Sequence, residues 1–473
     1  MEISVIGAGY VGLVSAACFA ELGHTVIGVD NDPRKLAILE EGRAPIHENL
    51  LPELLQRHLG QRLMFTNSIA QAVRESDVIF ITVGTPPSIT GHADLCCVEA
   101  VIREVAKHIT CRKLIVEKST VPVRTCDSIR RTMELNGASP HLFSVASNPE
   151  FLREGTAVTD FLYPDRIVAG VEDSFSEEKL SQIYAPLCDG SYYRREDLIP
   201  GDGAHPVRFI VTNTKSAELI KHTSNAFLAM KISFMNAIAN IAERAGGDID
   251  EIKEGVGADR RIGTSFLNAG IGYGGSCFPK DVLAFRAVAR EAGYDFDLLD
   301  AVMRINQDQR NQFLRKVRDA LWTLRDKRIA VLGLAFKAGT DDVRESPAIE
   351  IIEALVKEGC LITAYDPAAM PRALEELQGR LKECNIAMAS DPYTASATAD
   401  AVLILTEWSE FASLDLSRLR RQMRLPVIID GRNLYRPEEM KAAGFIYYSI
   451  GRAPVFPTGR SSVAADLVLE ETA

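Results

Sequence analysis

Six residues near the start, "GAGYVG", constrain the fold of this chain more than any other stretch. Gly7, Gly9 and Gly12 stand between a short apolar strand, "ISVI", and an apolar helical run that stops at Gly23; "TVIGVD" then reads as a second strand. In such a βαβ unit the first glycine permits a tight turn, the second lets backbone approach a pyrophosphate, and the third lets helix pack on strand. The helix N-terminus favours the anion. Asp30 closes the second strand about 20 residues on, the place for a carboxylate that accepts hydrogen bonds from an adenosine ribose. That carboxylate would repel a 2'-phosphate, so the dinucleotide expected is NAD, although Arg34 nearby is a cation that could receive such a phosphate.

Further strands are expected in "SDVIFITVGTP", "CRKLIVEKSTVP", "HLFSVASNPEF" and "DRIVAGV", separated by helical stretches as a parallel doubly wound sheet requires. From about Ile210 to Ala245 the pattern becomes one long helical period that ends at paired glycines. After it, "KRIAVLGLAFKAGTDD" begins a second strand, loop and helix, and "ADAVLILTEW" and "LPVIIDGRNLY" echo the strands of the first half. The expected class is α/β, with two Rossmann-like doubly wound domains joined by a long central helix. The expected bounds are 1–200 for the dinucleotide half, 201–310 for the helical middle, 311–455 for the second Rossmann-like half and 456–473 for a tail. The second half lacks the fingerprint, since bulky Phe336 lies between Gly333 and Gly339; Lys337 and Arg344 there offer cations for a phosphorylated ligand, or are surface ion pairs.

At 473 residues, 47% hydrophobic and 25% charged, the chain has the balance of a well-packed protein, and its formal charge of -11 argues against nucleic-acid and anionic-membrane partners. Ile3 to Ala20 carry no charge, but Glu2 stands where a signal peptide needs a basic residue, so no targeting or transmembrane segment is expected. Nine cysteines without CxxC spacing suggest neither a disulfide framework nor a metal site. The compartment expected is the reducing cytoplasm.

One of those cysteines lies in "GYGGSCFPKD". Pro279 fits the first turn of a helix, which puts Cys277 at or before a helix N-terminus with Lys280 close in sequence, a position that favours thiolate. The alternative is an inert cysteine in a tight turn. Glycines at 270, 272, 274 and 275 reduce bulk on the approach, as a loop wrapped around a substrate would need. A nucleophilic thiol beside a hydride acceptor has a use: it adds to an aldehyde, the adduct is oxidised to a thioester, and water releases an acid. That sequence is a four-electron oxidation of a primary alcohol. Lys221 and Asn225 lie four apart on the long helix, as an oxyanion-stabilising and hydroxyl-orienting pair or as ordinary helix residues. Glu150 and Glu154 are likewise four apart, and Asp281 is either a first-turn charge or an acid that holds water. None of the eight histidines sits in a recognisable acid-base setting.

"GAGYVG", "EKSTVPV", "NPEFLREGTA", "YPDRIVAG", "AELIKHTSNAFLAMKISFMN", "GYGGSCFPKD", "AFKAGTDDVRES" and "DGRN", in that order, together resemble the UDP-glucose 6-dehydrogenase family to about residue 452. The resemblance implies oxidation of UDP-glucose to UDP-glucuronate with two NAD, by a homodimer formed through the central helix. It implies that Cys277 is the thioester nucleophile, Lys221 and Asn225 the oxyanion pair, Asp281 with Thr120 the holders of water, and Glu150 an assistant to thioester hydrolysis. It implies NAD contacts at Tyr10, Val11, Asp30, Lys35, Thr85 and Thr120, and further ones at Glu154, Lys280 and Arg344. Around the sugar nucleotide it implies Phe151 and Leu152 beside Glu150, then Phe266, the loop Asn268 to Gly274 with Gly272 and Tyr273, and Phe336, Lys337 and Arg432. Arg261 resembles an arginine that in some members reaches the substrate from the partner subunit. Pro87 and Ser88 depart from the threonine or other small polar residue of many relatives, and the vicinal Cys96 and Cys97 match no known role. The rivals are the same chemistry on GDP-mannose or a UDP-N-acetylhexosamine, an epimerase that returns its hydride, and an NAD-binding protein without turnover.

Overall fold

The computed structural model describes residues 1–86, 93–201, 206–381 and 386–457. Pro87, Ser88 and the tail beyond residue 457 lie outside the described residues. The chain divides into two compact units, one of Met1–Ala226 with Lys280–Phe296, the other of Phe227–Pro279 with the chain from Asp297 onward.

The first unit holds an eight-stranded sheet: β1 (Glu2–Ile6), β2 (Thr25–Val29), β3 (Leu63–Thr66), β4 (Val78–Ile81), β5 (Lys113–Glu117), β6 (Phe143–Ser147), β7 (Arg166–Gly170) and β8 (Arg208–Thr212). Its order is β3-β2-β1-β4-β5-β6-β7-β8, and the first six strands pair in parallel. The order reverses between β1 and β4, the switch point of a doubly wound sheet. Continuous apolar runs such as "VIFI" in β4 suit strands covered on both faces. Val78 and Phe80 enter one core cluster while Ile79 and Ile81 enter another.

The sheet corrects one expectation: "DRIVAGV" forms β7, which meets β6 antiparallel at Ser147 and Gly170, and only then pairs in parallel with β8. The last residues of β8, from Ile210 to Thr212, fall where the long helix was expected to start. "RFIVT" is a short apolar run that fits either period, and its edge position leaves it partly exposed.

Between β1 and helix α1 (Tyr10–Glu21), Gly7 adopts φ +106°, and a Cβ there would stand 2.8 Å from the Thr82 carbonyl oxygen. A Cβ on Gly12 would stand 1.8 Å from the Gly7 carbonyl oxygen. The tight turn and the close helix-strand approach inferred for these glycines are both present. Helix α2 (Thr214–Ala245) has 32 residues and so spans about 48 Å. The chain passes from the first unit to the second within α2, and returns to the first within α3 (Phe278–Glu291).

The second unit carries β9 (Arg328–Leu332), β10 (Leu361–Tyr365), β11 (Ile386–Met388), β12 (Ala401–Ile404), β13 (Val427–Asp430) and β14 (Ile446–Tyr448). Their order, β11-β10-β9-β12-β13-β14, repeats the pattern of the first six strands, and all five pairings are parallel. No helix among the described residues is long and apolar enough to cross a membrane.

Two buried carboxylates lie at the carboxyl end of β5 in the first unit. Glu218 of α2 accepts from the backbone N–H groups of Arg124 (2.7 Å) and Cys126 (3.0 Å), closing the start of the helix Thr125–Leu135. Glu117 accepts from the Ser119 N–H at 2.8 Å, but its second oxygen has no hydrogen-bond partner. Burial pushes the Glu117 carboxyl up to about 8, with Glu218 adding to the rise and the Ser119 contacts opposing it. A raised folded-state pKa gives stability that is full below the ordinary carboxylate range and lost as pH rises through about 8. Glu117→Gln should therefore gain roughly 1 kcal/mol or more over wild type on going from about pH 5.5 to about pH 8.5. Urea midpoints at the two pH values check this; a constant difference would contradict it.

Candidate active site

The helix N-terminus at α1 carries no side-chain cap, and a Cβ on Gly9 would have nothing within 4 Å. Free N–H groups beside an open glycine are what a pyrophosphate requires. Asp30 reaches back to this turn: one carboxylate oxygen accepts from the Ala8 N–H and from Lys35 Nζ, both at 2.9 Å, and the other from the Asp32 N–H at 3.0 Å. Burial raises the Asp30 carboxyl, but the Lys35 hydrogen bond and the two backbone N–H groups outweigh it, and its pKa ends below the usual value. An ionised carboxylate accepts about four hydrogen bonds, so room remains for a ligand hydroxyl. Asp32 caps the helix Pro33–Glu40 through the N–H groups of Arg34 and Lys35, and Arg34 is exposed.

Three predicted residues meet nearby. Lys280 Nζ donates to Thr85 Oγ1 at 3.2 Å, and Thr85 Oγ1 donates to the Thr120 carbonyl at 2.8 Å. The Tyr10 hydroxyl accepts from the Gly155 N–H at 2.6 Å, which ties the start of α1 to the segment that follows buried Glu154. Val11 is half-buried.

Where β6 ends, the chain turns inward and buries Glu150. Its carboxylate meets Lys221 Nζ at 2.9 Å, and each side chain is only 5% exposed. The second Glu150 oxygen accepts from the Leu152 N–H at 2.5 Å, and Lys221 lies 5.5 Å from the Phe151 ring centroid. Burial alone would raise the Glu150 carboxyl; the Lys221 charge, the Leu152 N–H and the Lys118 charge together hold it below its ordinary value. Glu150 is therefore an anion at neutral pH, and its interaction with Lys221 replaces the solvated lysine that spacing alone allowed.

One turn on from Lys221, Asn225 Nδ2 donates to Asp281 Oδ2 at 2.5 Å. Asp281 is fully buried, and its other oxygen has no hydrogen-bond partner. Lys280 Nζ stands 3.9 Å from that oxygen, outside hydrogen-bond reach.

A histidine that sequence reasoning passed over stands beside these groups. His222 Nε2 contacts the Val121 carbonyl at 2.7 Å, so this nitrogen carries the proton, and the ring stacks on Phe285 with centroids 5.9 Å apart. Burial lowers its pKa, with the Asp281 charge opposing, so the imidazole is neutral at pH 7. Glu218, Lys221, His222 and Asn225 follow three- and four-residue spacing, which was the signal available to find it.

In the second unit Cys277 is half-buried directly before α3, where Pro279 takes the second position and Asp281 follows in the first turn. Ser276 Oγ lies 3.5 Å from Cys277 Sγ. The preceding loop is held by backbone contacts: Asn306 exchanges two hydrogen bonds with Tyr273 (2.8 and 3.1 Å), and the Tyr273 carbonyl also accepts from Arg310 at 3.2 Å. Arg432 donates to the carbonyls of Leu405 (2.9 Å), Phe336 (3.1 Å) and Gly272 (3.3 Å), and its guanidinium meets Glu407 at 3.2 Å. Gly272, Tyr273, Phe336 and Arg432 are thereby brought together.

The glycines of this loop have another explanation than an open approach. A Cβ on Gly274 would stand 2.1 Å from the Glu345 carbonyl oxygen, and one on Gly275 2.8 Å from the Phe336 ring. They admit protein, not empty space. Phe266 holds the left-handed conformation at φ +63°, with its ring 6.2 Å from that of Phe278. Asn268 is exposed, and Lys337 lies 5.9 Å from the Phe336 centroid. Arg344 forks onto Asp342, the ion pair that its sequence setting left open. Arg261 forks onto Asp259 with 89% of its side chain exposed.

Comparison with known proteins places these features in context. The profiles of the UDP-glucose/GDP-mannose dehydrogenase family match in chain order: its NAD binding domain at residues 1–188, its central domain at 215–308 and its UDP binding domain at 330–437. A UDP-glucose 6-dehydrogenase of Bacillus subtilis is 44% identical over 474 residues, covering 100% of this chain and 98% of that one. One from Rhizobium meliloti is 44% identical over 458 residues, covering 96% and 100%. Among solved structures, a UDP-glucose dehydrogenase from Pyrobaculum islandicum superposes with a TM-score of 0.85 at 38% identity, covering 95% of this chain and 98% of that one.

Proposed function

As this chain belongs to the UDP-glucose/GDP-mannose dehydrogenase family, we propose that it oxidises the C6 primary alcohol of UDP-glucose to the carboxylate of UDP-glucuronate in an NAD-dependent four-electron reaction. The observation that carries this reading is the full-length match to UDP-glucose 6-dehydrogenases, in a chain that buries a Lys221–Glu150 pair and starts a helix directly after Cys277. The uncapped start of α1 would hold the pyrophosphate of NAD and Asp30 its ribose, and NAD would supply the hydride acceptor for each of the two oxidations.

The chain's own groups divide the remaining work. Lys221 stabilises the alkoxide and, later, the oxyanion, while Asn225 orients the hydroxyl. Cys277 Sγ adds to the aldehyde carbon, the proton going to the former carbonyl oxygen; loss of hydride from that carbon leaves a thioester. Water held by Asp281 and Thr120, with help from Glu150, then cleaves the C–S bond and returns the thiol. Residues 1–200 serve as the NAD half and 311–455 as the half for the UDP-sugar, with Phe266, Asn268, Lys337 and Arg432 on the substrate and Glu154 and Arg344 toward NAD. This division is supported by the NAD-binding and UDP-binding profile matches.

The stretch 201–310 serves for pairing of two copies. Phe227, Phe234 and Ile241 are exposed on α2 at seven-residue spacing, an apolar stripe that a second α2 would cover. On the same reading, Arg261 of this stretch serves the substrate bound by the partner subunit. We assign the enzyme to the cytoplasm, a compartment that keeps a reactive thiol such as Cys277 reduced.

Incubation with limiting UDP-glucose, GDP-mannose or a UDP-N-acetylhexosamine reads the assignment. About two NADH per UDP-glucose and little from the others is expected, with Cys277→Ala unable to complete the second oxidation. One NADH with free aldehyde would refute the thiol's role, zero net NADH would point to an epimerase, and preference for another sugar would move the substrate. Sedimentation of Phe234→Glu should show a smaller species than wild type; an unchanged mass would remove α2 from the interface.

A further inference from the structure

"EKSTVPV" contains one cation that the mechanism above leaves unused. Lys118 is 3% exposed at the carboxyl end of β5, two residues before Thr120. Its Nζ donates to Asn148 Oδ1 at 3.0 Å and lies 3.4 Å from both the Asn148 carbonyl and the Tyr184 hydroxyl, with the Phe161 ring centroid at 5.7 Å. All four partners are neutral. Asn148 is itself fixed: its side-chain N–H donates to the Val168 carbonyl at 2.8 Å, its backbone N–H to the Glu117 carbonyl at 2.9 Å, and Tyr184 donates to its Oδ1 at 2.6 Å. Lys118 thus clamps the end of β5 to the end of β6, two residues before Glu150.

An ammonium buried among neutral acceptors needs a countercharge. The titratable groups that act on it are Glu150, Lys221 of α2 and the buried Cys18 thiol of α1. Burial raises the Cys18 thiol well above its ordinary value, so it is neutral, and Glu150 is the one anion among the three. Burial brings Lys118 down to about 8 with the Glu150 charge opposing, so near neutrality it remains a cation.

We propose that Lys118 is a positioning residue, a second buried counter-ion that keeps Glu150 ionised and in place while Lys221 engages the substrate oxygen. The proposal rests on the roles given above to Lys221 and Glu150. If Lys221 alone balanced Glu150, turning its charge toward an oxyanion would strand a carboxylate in a low-dielectric interior. Lys118 does not move with that step, because its hydrogen bonds go to Asn148 and not to Glu150.

Lys118→Gln keeps an N–H donor toward Asn148 and removes the charge, whereas Lys118→Arg keeps the charge. In kcat against pH, the acid limb of Lys118→Gln should move up by about one pH unit, and that of Lys118→Arg should stay. A uniform fall in kcat with the limb unmoved would mean a structural role only and would overturn the proposal. Urea midpoints supply a second readout that needs no turnover. Lys118→Gln should lower the midpoint of wild type, but leave it unchanged or raise it in a Glu150→Gln background, where two buried cations face each other without an anion. Equal lowering in both backgrounds, or a double variant that does not fold, overturns the proposal. Failure of the NADH yield with this coupling intact would strike the assigned reaction and not the charge arrangement.

Discussion

A carboxylate as buried as Glu150 stays ionised only with cations close by, and the 2.9 Å approach of Lys221 is the contact around which the ends of β5 and β6 are arranged. Meeting that demand fixes where α2 must begin, because Lys221 lies only two turns into it. It also fixes the turn after β6, whose Leu152 N–H takes the other carboxylate oxygen. Glu218, one turn earlier on the same helix, closes the start of the helix after "EKSTVPV". One helix face therefore organises the ends of both β5 and β6.

The doubly wound topology makes this economical. β4, β5 and β6 are adjacent and parallel, so Thr85, Thr120 and Glu150, which follow them, emerge along one edge of the sheet. Ligands of open α/β sheets bind outside the carboxyl ends of the strands. Helix α3 adds Lys280 and Asp281 to this edge, and the chain enters α3 through Cys277.

Much of this was legible in the sequence because it rests on local rules. The strand-glycine-helix order, Asp30 at the end of β2, Pro279 opening α3 and the four-residue spacing of Lys221 and Asn225 all carry their own periodicity. The antiparallel entry of β7 was not legible, since "RIVAG" is equally apolar in either direction and only its neighbours decide. The end of β8, from Ile210, was read as helix for a similar reason. The glycines before Cys277 suggested an open approach, whereas their neighbours are Glu345 and Phe336, some seventy residues or fewer away in sequence and close only in the fold. His222 and Lys118 were missed because burial, not residue type, gives them their surroundings. Lys35, implied by resemblance as a cofactor contact, has a local task that five-residue spacing across a turn did not announce, holding Asp30.

The central claim is the proposed one, that one carbon is carried from aldehyde to acid while it is covalently bound to Cys277. Rapid acid quenching during turnover of UDP-glucose with NAD, followed by mass measurement of the peptide that carries Cys277, tests it most directly. The account predicts a transient acyl adduct on that cysteine, labile to hydroxylamine and absent when either reactant is withheld. Complete turnover with the Cys277 peptide unmodified at every quench time would contradict it.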